Sequence, residues 1–141
     1  MQNLPAEIVD KIFLYTDVNT CIKNKKIYLL RYFPDVTLNW AAENGYLEMV
    51  KYLYEKAGTN IVNAISWAAS SGHLAIIKYL HEVLGTKCIT DVIHYAAQYG
   101  HLEIVKYFHE VVGIEFTSYT INRATYNGFP EIDEYFKSIK N

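Results

Sequence analysis

Five histidines are the side chains best suited to chemistry in this 141-residue sequence, and four of them form a pattern: His73 and His81, then His101 and His109, eight apart in each pair. Eight residues is just over two turns of a continuous helix, a spacing that would suit two imidazole ligands of one metal. No carboxylate or thiol completes a ligand set with them, and Cys21 and Cys88 stand at no metal or redox spacing. Ser66, Ser70 and Ser71 lie near His73, but nothing suggests a strained nucleophile turn or a third, orienting group, and there is no glycine-rich phosphate loop. The expectation is a protein with no metal, no cofactor and no catalytic residue. The equal spacing of the two pairs then has to come from the elements that carry them.

Those elements are repeated. Gly45, Gly72, Gly100 and Gly128 follow one another at intervals of 27, 28 and 28 residues, and each stands three residues after a small pair: Ala41-Ala42, Ala68-Ala69, Ala96-Ala97 and the weaker Ala124-Thr125. Before each glycine the apolar residues keep helical spacing, as in Ile93, Ala96 and Ala97 of the segment from Asp91 to Tyr99, with Asp91 as its expected cap. A left-handed glycine would end that helix, and the chain would turn back. A second helix follows, with Leu102, Val105 and Phe108 on its core stripe, widened by Ile104, and with Leu47, Val50 and Leu53 in the first copy. Gly58, Gly85 and Gly113 are placed to stop the second helices. A two-helix hairpin of this size cannot bury both faces alone and needs neighbours stacked on it. The histidine spacing is thus a property of the repeat, and Tyr52, Tyr79 and Tyr107, also at the repeat period, are expected to pack on the core or flank with their hydroxyls at the surface.

Composition agrees with a packed domain: 51% of residues are hydrophobic and 20% charged, too apolar for a disordered chain. A net charge of -2 is no footprint for a phosphate backbone, so nucleic acid is not an expected partner. The opening "MQNLPAEIVDKIF" is acidic where a signal peptide is basic, and no run reaches the roughly 18 apolar residues of a membrane span, so no membrane partner and a reducing, cytoplasmic location are expected.

The phrase "VIHYAAQYGHLEIVKYF" from Val92, with its echoes "WAASSGHLAIIKYL" and "WAAENGYLEMVKYL", resembles the ankyrin repeat. The resemblance covers about residues 35–141 and sets His94 at the histidine of the TPLH-type opening, and His73 and His101 at the histidine of the G-H-L-E turn. It implies an all-α solenoid of four units, about 35–62, 63–90, 91–118 and 119–141, the last a polar C-terminal cap. Two departures stand out. The family repeat is about 33 residues, and the shortage here falls after the second helix, so the β-hairpin fingers are expected to be reduced or absent. The threonine-proline opening is also missing. Short repeats rich in tyrosine and isoleucine are similar to those of giant DNA viruses and their amoebal hosts, which for a viral chain would mean the host cytoplasm.

Residues 1–34 fall outside the repeat phase. Leu4, Pro5, Glu7, Ile8, Ile12, Phe13 and Tyr15 resemble the start of an F-box, the helical module that docks a Skp-type adaptor of cullin ubiquitin ligases, whereas "KNKKIYLLRYF" fits its end badly. The resemblance implies adaptor docking through Leu4, Pro5, Ile8, Ile12 and Phe13. The alternative is a helical N-terminal cap on the first repeat, which needs the same apolar helix.

The remaining candidates are residues that vary inside the constant frame. Between the alanine pair and the glycine stand Glu43-Asn44, Ser70-Ser71, Gln98-Tyr99 and Tyr126-Asn127, where ankyrin proteins line a concave face with partner contacts. Tyr99 and Tyr126 are the expected anchors, because tyrosine offers large area with few rotors. The resulting expectation is non-enzymatic binding of a protein client, either as a ligase substrate adaptor or as a plain recognition or scaffold module.

Overall fold

The computed structural model describes residues 37–57, 61–85 and 89–139. The described residues form eight α-helices and no strand: α1 Leu38–Glu43, α2 Leu47–Ala57, α3 Ile61–Ser70, α4 Leu74–Leu84, α5 Ile89–Gln98, α6 Leu102–Lys106, α7 Ser118–Asn127 and α8 Pro130–Ile139. A π-helical turn, Tyr107–Val111, continues α6. The segment 1–34, with Leu4, Pro5, Ile8, Ile12 and Phe13, lies outside the described residues, as does Gly58.

The helices pair as α1–α2, α3–α4, α5–α6 and α7–α8, and the pairs stack in order. The odd-numbered helices form one layer, α1 on α3 on α5 on α7, and their backbones approach more closely than those of the even-numbered layer. The cause is local. Ala41, Ala42, Ala68, Ala69, Ala96 and Ala97 are all fully buried, and where they face the next helix only a methyl group stands on the backbone. In the even layer the core is built from larger residues, among them Met49, Val50, Ile76, Ile77, Leu80, Ile104, Val105 and Phe108.

Two details differ from the sequence reading. Leu47 and Leu53 are only half-buried, while Met49 is fully buried beside Val50. Residues three apart step back about 60° around a helix, so Leu47 and Leu53 flank the buried Val50 on either side and pack on the core from its edge. Asp91 is not a cap: α5 begins at Ile89 and Asp91 lies in its first turn. The resolved hydroxyl caps belong to threonines, Thr37 accepting from the Trp40 N–H at 3.1 Å and Thr117 from the Thr120 N–H at 3.4 Å. Pro130 stands at the first position of α8, where its missing N–H has no helical partner to lose.

The turn inside each pair is the same. Gly72, at φ +82°, follows α3, and the His73 N–H donates back to the Ala68 carbonyl at 2.9 Å; Tyr46 to Ala41, His101 to Ala96 and Phe129 to Ala124 repeat that bond. A Cβ on Gly72 would stand 2.7 Å from Nδ1 of His101 in the next pair, and one on Gly100 would run into the Phe129 ring. Gly128, at φ +78°, faces open space.

The two causes are separable by substitution. Gly72→Ala is expected to lower the unfolding free energy by roughly 2–4 kcal/mol, left-handed strain plus overpacking against His101. Gly128→Ala carries the strain alone, about 1–2 kcal/mol. Urea denaturation of both variants checks this, and equal losses would show that the imidazole exerts no constraint on Gly72.

Candidate functional site

The histidines are tied up in holding one pair to the next. Nε2 of His73 lies 2.8 Å from the Glu43 carbonyl, and Nε2 of His101 lies 2.8 Å from the Ser70 carbonyl. A carbonyl only accepts, so each Nε2 carries the proton and donates. The acceptors are the last residues of α1 and α3, whose carbonyls have no partner within their own helix. Each turn histidine therefore closes the C-terminus of the first helix of the preceding pair.

His81 and His109 act in the even layer. Nδ1 of His81 lies 2.9 Å from the Tyr107 hydroxyl, and Nδ1 of His109 lies 2.8 Å from that of Tyr135. The Tyr135 hydroxyl also donates to a Glu110 carboxylate oxygen at 3.0 Å, which leaves His109 as the donor through Nδ1–H. Burial first, then that hydrogen bond and charge, push the Tyr135 phenol up to about 12. Over each ring sits a lysine from the preceding pair: Lys51 over Tyr79 at 5.8 Å, Lys78 over Tyr107 at 5.5 Å and Lys106 over Tyr135 at 5.9 Å from the centroid. Of the three repeated tyrosines Tyr52, Tyr79 and Tyr107, the hydroxyl of Tyr107 bridges two pairs rather than simply reaching the surface, and Tyr135 does the same one repeat on. His81 and His109 could be bonded this way only once the pairs were stacked, and the one-chain spacing held no sign of it. Among the described residues no cluster of three histidine, cysteine, aspartate or glutamate side chains is arranged to hold a metal.

The exposed face of the odd-numbered layer remains. Asp91 and Tyr95 on α5 and Tyr99 just after its end, four apart, form a stripe along this face. Opposite them on α3 are Val62, Ser66 and Ser70, also four apart, with Asn63 and Trp67. Together these residues line an open groove of about 360 Å³. Trp67 is 45% and Tyr99 50% exposed, unusual for rings of that size beside a fully buried alanine pair. Of the groove's residues only Asp91 carries a charge at neutral pH. Ser66 and Ser70 hydroxyls are already donated to the carbonyls of Val62 and Ser66.

The variable positions fall unevenly on this face. Ser70 and Tyr99 line the groove, whereas Glu43, Asn44, Ser71, Gln98, Tyr126 and Asn127 do not. Asn44 and Asn127 donate through Nδ2 to the carbonyls of Trp40 and Arg123, four residues back, closing their own helix ends. Tyr126 is 91% exposed and packs on nothing that would hold it. Val62, Asn63, Ser66, Trp67, Asp91 and Tyr95 escaped the sequence reading. The buried residues Ile61, Ala64, Ile65 and Ala68 leave Val62, Ser66 and Trp67 off the core stripe, so the signal was present in the helical phase.

His94, on α5, makes its contacts with α7. Its Nδ1 is 2.8 Å from the hydroxyl of Thr120, which is buried, and its ring meets Tyr119 edge-on at 4.7 Å between centroids. Burial, with the Arg123 charge behind it, holds the imidazole below the usual histidine range, against the opposing pull of Asp91.

A family model described as ankyrin repeats, in three copies, matches residues 38–120. Comparison with curated proteins gave no match, and comparison with solved structures gave none.

The His94 environment sets a pH dependence. The folded-state value is depressed, so its contribution is whole above the unfolded value of about 6.5 and is lost as pH falls through the folded value. Thermal melts at a series of pH values are expected to show wild-type stability falling below that point, with a shallower fall in His94→Gln. Parallel profiles for the two proteins would remove His94 as the cause.

Proposed function

From the premise that the chain belongs to the ankyrin-repeat family, we propose that it is a non-enzymatic recognition module that binds a protein client on the exposed face of its first-helix layer. Ankyrin repeats are generally protein–protein interaction modules, so the family supports the class of function and leaves the surface to be argued. The observation that carries it is the set of exposed rings, Trp67, Tyr95 and Tyr99, over a layer whose alanines are fully buried. Large aromatic side chains held exposed on a rigid frame bind with little entropy to lose, and such residues dominate interface energetics. The variable positions Glu43, Asn44, Ser71, Gln98, Tyr126 and Asn127 form the surround of this contact in the proposal.

The proposed unit boundaries are those of the sequence repeat, 35–62, 63–90, 91–118 and 119–141, with the last as a cap. Asp133 in α8 accepts from the Thr125 hydroxyl at 2.6 Å, a polar contact consistent with that capping role. For residues 1–34 the F-box-like start through Leu4, Pro5, Ile8, Ile12 and Phe13 supports a second proposed contact, with a Skp-type ligase adaptor, which would make the protein a substrate adaptor in the cytoplasm, or in the host cytoplasm for a viral chain. A structural cap is the alternative for the same residues. Among the described residues no helix is long and apolar enough to cross a membrane.

Both contacts can be tested on the full chain. The double variant Trp67→Ala with Tyr99→Ala is expected to lose most client captured from cell extract, with a melting temperature within a few degrees of wild type, while Glu82→Ala on α4 captures normally. Retention of every partner by the double variant would place recognition elsewhere. Separately, mixing with a purified Skp-type adaptor is expected to give a complex that Ile8→Asp or Ile12→Asp abolishes. No complex with the parent protein would leave residues 1–34 as a cap.

A further inference from the structure

We propose that the groove between α3 and α5 receives an arginine side chain of the bound partner. This deepens the client-binding reading and rests on it for the face, but its chemistry comes from the groove itself. Trp67, Tyr95 and Tyr99, whose ring faces carry the negative end of the aromatic quadrupole, line the same groove as one carboxylate, Asp91, and among the described residues no cation lines it. The ion pairs seen among the described residues are Lys51–Glu48 and Lys106–Glu103, so none of the described lysines or arginines stands at pairing distance from Asp91. Aromatic rings and a carboxylate converging without a cation attract one.

A guanidinium suits the space better than an ammonium. It is flat, it stacks on rings, it is weakly hydrated, and its fork matches a carboxylate. The same face already shows the contact one pair further along. Arg123 stands at the repeat position of Trp67 and Tyr95, and Tyr119 at that of Asp91; the guanidinium lies 4.9 Å from the Tyr119 ring centroid, and both Nε, at 2.9 Å, and Nη2 donate to its hydroxyl. In the last pair the face thus satisfies a guanidinium from within. In the middle pairs it has the rings and the carboxylate, with no cation lining the groove among the described residues. Val62 supplies apolar surface for the methylene stem, and about 360 Å³ of open groove accommodates one or two side chains of a surface segment.

The test uses the full chain and a random dodecapeptide library displayed on phage. Peptides are selected on the wild type and counter-selected on Trp67→Ala, so that those retained depend on the groove, and each is then remade with its arginines as citrulline. The expected result is enrichment of arginine over acidic residues among the retained peptides, with citrulline weakening binding about tenfold in fluorescence anisotropy. Asp91→Asn is expected to weaken the arginine form by about five- to tenfold and the citrulline form little. Because citrulline changes only the peptide, a folding defect in a variant cannot mimic that result. Trp67-dependent peptides that lack arginine, or that bind equally as citrulline, overturn the proposal while leaving client binding on this face intact. A library yielding no Trp67-dependent peptide overturns it as well, and client binding then stands or falls on the capture experiment.

Discussion

Each of the first three first-layer helices ends on a glycine whose missing Cβ is the space occupied by a side chain of the next pair. At Gly45 and Gly72 that side chain is the imidazole of His73 or His101, and at Gly100 it is the Phe129 ring. The same glycines hold φ near +80°, so the turn and the stacking contact depend on one atom that is not there. The imidazole that fills the gap then donates to the last carbonyl of the preceding first helix. Turn, helix terminus and inter-pair contact are therefore one unit of structure, repeated. Phe129 keeps the fit in the last pair and has no proton to donate, so at that turn the contact is packing alone, and the hydrogen bonds of the last interface come from His94 with Thr120 and His109 with Tyr135.

A second set of contacts runs through the even layer and has a different character. Lysine over tyrosine, and histidine on the tyrosine hydroxyl, join residues 26–29 apart along the chain. Each lies at the edge of the buried core, where the rings are partly desolvated and polar groups gain from being paired. The two sets hold opposite sides of every junction, one at the turns and one along the second helices. With both sides tied, the relative rotation of neighbouring pairs is restricted, and the rings on the open face of the odd layer keep fixed separations.

That rigidity gives the groove its meaning. Trp67, Tyr95 and Tyr99 are not exposed for lack of a core to enter; Ala64, Ala68, Ala96 and Ala97 occupy the core side of the same helices. Small residues inside bring α3 and α5 close, and closeness sets the two stripes of side chains facing one another across a narrow space. Larger core residues would widen the groove and separate the rings from Asp91. The frame and the surface are coupled through the thickness of the layer.

Most of the frame was legible in the chain before any coordinates, because its causes are local. The glycine interval, the alanine pairs and the helical phase of Val50, Val105 and Phe108 each follow from conformational or spacing rules that act within about one turn. The single-residue departures, Asp91 inside the helix and Met49 buried where Leu47 and Leu53 are half-buried, are small errors of phase within about one helical turn. Partnerships between pairs were not legible: nothing in the spacing of His81 and His109 shows that Tyr107 and Tyr135 arrive at their Nδ1 atoms. Nor did sequence position distinguish Tyr99, set in a groove, from Tyr126, which stands free beyond it. Sequence alone determined the repeat, because backbone geometry and burial are decided by near neighbours. Tertiary structure decided which side chains meet, because residues 26–31 positions apart come together only after the pairs have stacked.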